Sequence, residues 1–168
     1  NTALEVTQQM LNGPVASGTF DWKAGDEADY NMNMGFISGK MIMKVVSVAP
    51  TEVVFSQDVD LGFLGKQHCD ITINPTNGQT KSLVCNGQAQ DTSGGEVSII
   101  ESKEDTVTVP AGTFTCMYIK AQQTSQGNSQ TVEQWINPKM IPVMGMAKTI
   151  APSQMGQVVV ELTAFHKN

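Results

Sequence analysis

The chain has 168 residues, of which 40% are hydrophobic, so it fits one domain with a core and is too polar to be embedded in a membrane. Its net charge is -6, and all ten of its basic residues are lysine. Arginine, which supplies bidentate donors for guanine and phosphate, is absent, and an acidic surface repels a polyanion. We therefore predict no nucleic-acid partner. No apolar run approaches the roughly 18 residues of a membrane-spanning helix, which predicts no transmembrane segment.

Residues 1–13 are the one segment in which apolar residues recur with a helical period. Thr2 is a capping residue, and the Gly13-Pro14 pair predicts the end of this short helix. The chain begins at Asn1 without an initiator methionine, so we expect that a signal peptide, with or without a lipid anchor, preceded it. From residue 20 onward the apolar residues alternate, and we predict a single domain over 1–168 whose sheet occupies residues 20–168.

After residue 20, the two-residue period of β-strands recurs in about eleven segments, separated by glycine, proline or asparagine. The alternation is sharpest over residues 26–36, where apolar and polar side chains point to opposite faces. Strands at this spacing, with no helical segment between them, predict a mainly β, antiparallel sheet that is strongly curved or forms an incomplete β-barrel. The predicted strands are 26–36, 39–48, 52–61, the two arms of a hairpin over 68–86, then 96–102, 106–109, 114–122, 131–136, 144–150 and 157–166.

Two cysteines flank the predicted hairpin. Cys69 and Cys85 each lie eight residues from Asn77 in its turn, so antiparallel pairing places them opposite each other. We predict a disulfide between them, with two buried thiols as the alternative. Because disulfides persist in oxidising compartments, we expect a periplasmic or extracellular protein.

Side chains suited to catalysis are sparse. Of the two histidines, His68 lies beside the predicted disulfide and His166 close to the end of the sequence, so neither has a predicted acid and nucleophile beside it. Asp58 and Asp60 share a strand face, where a solvated pair is more common than a glycosidase acid–base pair. Cys116 alternates with apolar neighbours, which predicts a buried, inert thiol. We therefore expect no enzyme, no catalytic residue, no cofactor and no metal site with zinc-type spacing.

Methionine is unusually frequent, with ten in the chain. On the first two predicted strands it occurs in pairs two residues apart, and if these strands pair through the turn at 35–39, four thioethers lie on one surface. Flexible thioethers suit either a packed core or an adaptable apolar cavity, and they also bind Cu(I). The candidate ligand-lining residues are Tyr30, Met32, Met34, Met41, Met43 and Trp135.

Four stretches of the sequence together form a recognisable pattern. They are FDWKAGDEADYNM (20–32), VTVPAGTFTCMYIKA (107–121), VEQWINPKMIPVMGMAKT (132–149) and VVVELTAF (158–165). With them the chain resembles uncharacterised exported bacterial β-proteins, which look like distant relatives of the lipoprotein-carrier-like half-barrel superfamily. The resemblance implies a strongly curved, incomplete barrel around a hydrophobic interior, and it implies a fold more firmly than an activity.

These observations predict a non-enzymatic extracytoplasmic domain that binds a hydrophobic small molecule or lipid in an interior lined by methionine and aromatic residues. One alternative is a structural or interaction module of the cell envelope, with a filled core and another envelope protein bound along an exposed strand edge. A further alternative is a protein that binds Cu(I) through its Met-x-Met strands.

Overall fold

The computed structural model describes residues 21–90, 96–125, 127–153 and 156–168. The helix predicted for residues 1–13 lies outside these ranges. Within them, the one helical element is a 3₁₀ turn, Gly62–Leu64. The prediction of a mainly β chain is confirmed for the described residues.

Eleven strands in the described residues form one open sheet in which every neighbouring pair is antiparallel. The strands are β1 (Glu27–Met34), β2 (Ile37–Val48), β3 (Val53–Asp60), β4 (Lys66–Ile73), β5 (Thr80–Cys85), β6 (Gln88–Ala89), β7 (Glu96–Val109), β8 (Gly112–Ser125), β9 (Asn128–Ile136), β10 (Met146–Ser153) and β11 (Gly156–His166). Their order in the sheet is β6-β5-β4-β3-β2-β1-β11-β10-β9-β8-β7.

The number of strands matches the prediction, but two assignments were wrong. Segments 96–102 and 106–109 form the single strand β7, because the backbone between them pairs with β8. At this sheet edge Lys103 and Glu104 are exposed, and the half-buried Asp105 accepts a hydrogen bond from Trp135. The short strand β6 was not predicted. It follows an Asn86-Gly87 turn in which both residues have positive φ, the conformation of a tight hairpin turn for which Asn-Gly is the preferred pair.

Burial follows the two-residue period along most strands. On β1 and β3, for example, every second side chain is buried, while residues between them are exposed or half-buried. The half of the sheet that contains β7 to β10 curls over, so that the edge strand β7 approaches β10 and β11. In the β7–β8 turn, the Ala111 amide donates to the Leu162 carbonyl on β11 at 3.0 Å. The interior face of the curved sheet therefore forms one continuous apolar core.

The predicted disulfide is confirmed. Cys69 on β4 and Cys85 on β5 are directly opposite partners and are bonded, with both side chains buried. The alternative of two buried thiols is thereby excluded. Cys116 is buried and is the free cysteine, as predicted.

Replacing both Cys69 and Cys85 with serine is expected to lower the free energy of unfolding by about 3 kcal/mol, because the bond restricts the unfolded chain across a separation of 16 residues. Urea denaturation of the oxidised protein and of the variant measures this difference. Wild-type protein treated with dithiothreitol is the control and should unfold at the urea concentration of the variant. Equal midpoints for the oxidised protein and the variant would contradict the expectation.

Candidate functional site

The interior face of β1 and β2 gathers four methionines and one tyrosine. The two strands pair through a two-residue turn, and the register sets Tyr30 opposite Met41 and Ala28 opposite Met43. Because alternate residues of a strand share a face, the other two methionines lie on the same side of the sheet. Five of the six predicted lining residues are thus brought together, each at most 2% exposed: Tyr30, Met32, Met34, Met41 and Met43.

Two hydrogen bonds hold polar atoms in this interior. The Tyr30 hydroxyl donates to the Met146 carbonyl at 2.8 Å, and Gln57 Nε2 donates to Met41 Sδ at 3.0 Å. Burial, followed by the charge of Asp29, raises the pKa of Tyr30 far above its ordinary value, so this hydroxyl stays neutral and acts as a donor. Four thioethers on one face are the arrangement that the Cu(I) alternative requires, although one of them already accepts an N–H.

The same face continues across the sheet to the disulfide. Met43 is opposite Gln57, Gln57 is opposite Cys69, and Cys69 is opposite Cys85. Gln67 Nε2 lies 3.4 Å from Cys69 Sγ. This part of the interior therefore combines polarisable sulfur and amide groups within an apolar surface.

Trp135, the sixth predicted lining residue, lies elsewhere. It is on β9, and the register aligns it in one row with Lys148, Glu161 and Asn31, on the face opposite Met32. Its indole N–H donates to Asp105 at 3.0 Å. The register therefore does not place Trp135 in a row with the methionines, but its half-buried side chain packs against the same apolar core.

Trp135 packs against one further aromatic residue, Tyr118, and against a lysine. The Tyr118 ring lies 4.9 Å from the Trp135 ring, and the Lys148 ammonium lies 5.4 Å from the centre of the indole. The Tyr118 hydroxyl donates to Glu133 at 2.5 Å. Burial, followed by this carboxylate, raises the pKa of Tyr118 far above its ordinary value, so the phenol remains protonated.

The thiol of Cys116 lies on the same face of β8 as Tyr118. Burial, and then the charge of Asp105, raise the pKa of Cys116 to about 11. A thiol with so high a pKa is not a nucleophile at neutral pH, which agrees with the prediction of an inert cysteine.

An open groove of about 550 Å³ lies across β8, β9 and β10 and the start of β11. Its walls are mixed, with Lys120 and Glu133 contributing charge and Ile150 and Pro152 contributing apolar surface. Its other lining residues are Thr131, Ala151, Ser153, Gly156 and Gln157. The groove was not predicted, because its walls come from four strands whose pairing local periodicity does not encode.

On the outer face, His68 lies between two carboxylates. Its Nδ1 is 2.7 Å from Asp58 Oδ1 and its Nε2 is 3.1 Å from Asp70 Oδ1. The hydrogen bond to Asp58 is the largest cause of the raised pKa of His68, with Asp70 adding to it and burial opposing it. The carboxylates bind opposite ring nitrogens, so they do not converge on one point, and no group of His, Cys, Asp and Glu in the described ranges is arranged to hold a metal ion.

Asp29 is an ionisable residue at the junction of β1 and β11, where a β-bulge interrupts the pairing. Its Oδ1 is buried and has no hydrogen-bond partner within the described part of the chain. Burial, and then the neighbouring Glu27, raise the pKa of Asp29 to about 6. Its ionisation therefore opposes folding, and this cost develops as pH rises from about 4 towards the raised pKa.

Comparison with known proteins finds no matching family model and no matching curated protein. Among solved structures, a candidate exported protein with a YmcC-like fold from Bacteroides fragilis NCTC 9343 matches with a TM-score of 0.53 and 13% identity, covering 90% of this chain and 100% of that one. A candidate lipoprotein from Parabacteroides distasonis ATCC 8503 matches with a TM-score of 0.49 and 12% identity, covering 91% of this chain and 100% of that one.

At 13% identity, the Bacteroides fragilis structure establishes a shared fold and nothing about activity. This fold agrees with the resemblance to exported bacterial β-proteins. A search of the described residues for a helix long and apolar enough to cross a membrane finds none.

Replacing Asp58 with asparagine is expected to lower the pKa of His68, because it removes the largest interaction that favours the charged imidazole. In the native protein, the stabilisation from this raised pKa is fully present below about pH 6.5 and is lost as pH rises through the higher folded value. NMR titration of the His68 ring protons measures the shift. Asp60→Asn, which changes a neighbouring aspartate on the same strand, is the control, and an equal shift in both variants would contradict the assignment.

Proposed function

We propose that the protein is a non-enzymatic extracytoplasmic domain that binds a hydrophobic small molecule or lipid in its interior. The buried face of β1 and β2 is the observation on which this proposal depends. It consists of Tyr30 and four methionines on neighbouring strands of one curved sheet. Unbranched thioether side chains adapt to ligands of varied shape more readily than branched aliphatic ones.

The open sheet supports access to that interior. In the described residues β6 and β7 are the two edges, and they do not pair with each other. A closed barrel has no such interruption. We expect an apolar ligand to enter the curved sheet past one of these unpaired edges.

Two observations support the extracytoplasmic location. The Cys69–Cys85 disulfide is of a kind that persists in oxidising compartments. The structure from Bacteroides fragilis, which shares the fold, is described as that of a candidate exported protein. A relationship to the lipoprotein-carrier-like half-barrels, as the sequence resemblance implies, is part of the same proposal.

Native mass spectrometry of protein secreted to the bacterial periplasm is expected to reveal a bound lipid. After that lipid is removed by extraction, the protein is expected to bind a fluorescent fatty-acid analogue. Leucine at positions Met32, Met34, Met41 and Met43 preserves the volume but adds branching, so we expect affinity to fall several-fold while the fold is kept. Leucine at the exposed Met117 and Met140 is the matched control and should leave affinity unchanged. Wild-type protein that carries no lipid and binds no analogue would contradict the proposal.

A second candidate function is an interaction module of the cell envelope, and the edge strand β7 favours it. This strand has 14 residues, and three of its apolar side chains are exposed: Val97, Ile99 and Ile100. An extended segment of another envelope protein could add to this edge through backbone hydrogen bonds, with these side chains as contacts.

For this candidate, a photo-crosslinking residue at Ser98 is expected to capture a single partner in intact cell envelopes. Lysine at Ile99 and Ile100 should abolish the crosslink, because charge on an edge strand opposes strand addition. Lysine at the exposed Val46, in the middle of the sheet, is the control and should preserve it. A crosslink that survives the Ile99 and Ile100 changes would exclude β7 as the binding edge.

A further inference from the structure

Two phenylalanines protrude from neighbouring turns at one end of the sheet. Phe36 lies in the β1–β2 turn and Phe63 in the 3₁₀ turn between β3 and β4, and they are 90% and 84% exposed. Both turns lie beyond the pair formed by Lys40 and Asp60, where β2 and β3 meet. Because adjacent strands are about 4.8 Å apart, the two turns are separated by roughly 10 Å. Leu64, 43% exposed, lies next to Phe63.

The backbone fixes both phenylalanines in these positions. In the β1–β2 turn, Gly35 has a φ of 80°, which suits the first position of a tight hairpin turn followed by an ordinary residue. In the second turn, the Asp60 carboxylate accepts from the Gly62 amide at 2.9 Å, and the Leu61 amide donates to the Gly65 carbonyl at 2.9 Å. The two aromatic rings are therefore presented to solvent by ordered turns, so little conformational entropy is lost when they are buried.

We propose that this end of the sheet, the Phe36–Phe63 tip, inserts into the surface of a bilayer of zwitterionic phospholipid. The area of the tip favours a membrane over a protein. Two phenylalanine side chains bury about 300–500 Å², whereas a stable protein interface buries about 800 Å² on each partner. The turns around the two phenylalanines contain Gly35, Gly62 and Gly65, which add no side-chain surface for a shaped partner. A lipid interface requires no shape complementarity.

The charges near the tip determine which lipid suits it. Lys40 follows Phe36 by four residues, which is about 13 Å along a strand, so insertion by 5–10 Å brings its ammonium near the headgroup phosphates. Lys66 is similarly exposed and is loosely paired with Asp60 at 3.9 Å. The whole chain has a net charge of -6, which opposes approach to an anionic surface. A zwitterionic surface avoids that repulsion and still provides phosphates for the two lysines.

Sedimentation with vesicles of phosphatidylcholine and phosphatidylethanolamine tests this proposal on the unacylated 168-residue chain. Wild-type protein is expected to bind, and Phe36→Ser or Phe63→Ser to weaken partitioning about tenfold each, since each removes the burial of one aromatic side chain. The double variant should lose about a hundredfold if the two contributions add. The matched control is Val46→Ser with Val48→Ser, which removes exposed apolar side chains near the opposite end of β2 and should change binding less than twofold.

Three outcomes would overturn the proposal: wild-type protein that stays in solution, a double variant that binds as well as wild type, or a control that loses as much binding as the double variant. Neither phenylalanine faces the interior, so all the variants should retain binding of the fluorescent fatty-acid analogue. That second measurement separates the tip from the proposed interior ligand, because each property can fail while the other is observed.

Discussion

The pairing of β1 with β11 decides where the sheet is continuous and where it is open. All other neighbours in the sheet are consecutive in the sequence, so this one pair joins the first and last strands. It leaves the free edges at β6 and β7, which are themselves consecutive. A β-bulge between Asp29 and Tyr30 interrupts this pair, and beyond it Tyr30 is opposite Leu162 on the interior face. The cost of placing Asp29 at the bulge is visible in its raised pKa.

From that arrangement the sheet acquires two faces of different chemistry. The interior face of β1 to β5 holds thioethers, a neutral tyrosine and the disulfide, a surface suited to contact with hydrocarbon. The opposite face holds His68 between its aspartates, and farther along the sheet Trp135 and Tyr118 lie together, with Trp135 packed against the core. Several titratable groups away from the methionines are paired with one another, as His68 is with Asp58 and Asp70 and Tyr118 is with Glu133.

The two proposed contacts with lipid lie in different parts of the fold and depend on different physics. The interior relies on adaptable packing by buried sulfur side chains, whereas the Phe36–Phe63 tip relies on exposed rings presented by tight turns. A domain that takes up an apolar molecule in an aqueous compartment must approach the membrane that supplies or receives it. The proposed membrane-directed end and the proposed ligand-binding interior would lie on the same sheet.

The sequence by itself determined the strand content, the Cys69–Cys85 pair and the shared face of Tyr30 and the methionines. These features follow from a two-residue period and from hairpin turns that set the register between neighbours. Tertiary structure alone decided the β1–β11 pairing, the single strand β7, the face of Trp135 and the aspartates around His68. Alternation shows which residues of a strand share a side, but it does not show which distant strand lies beside it. The charge run 103–105 resembles a gap between two strands in the sequence, but the edge position of β7 leaves Lys103 and Glu104 exposed and lets Asp105 pair with Trp135.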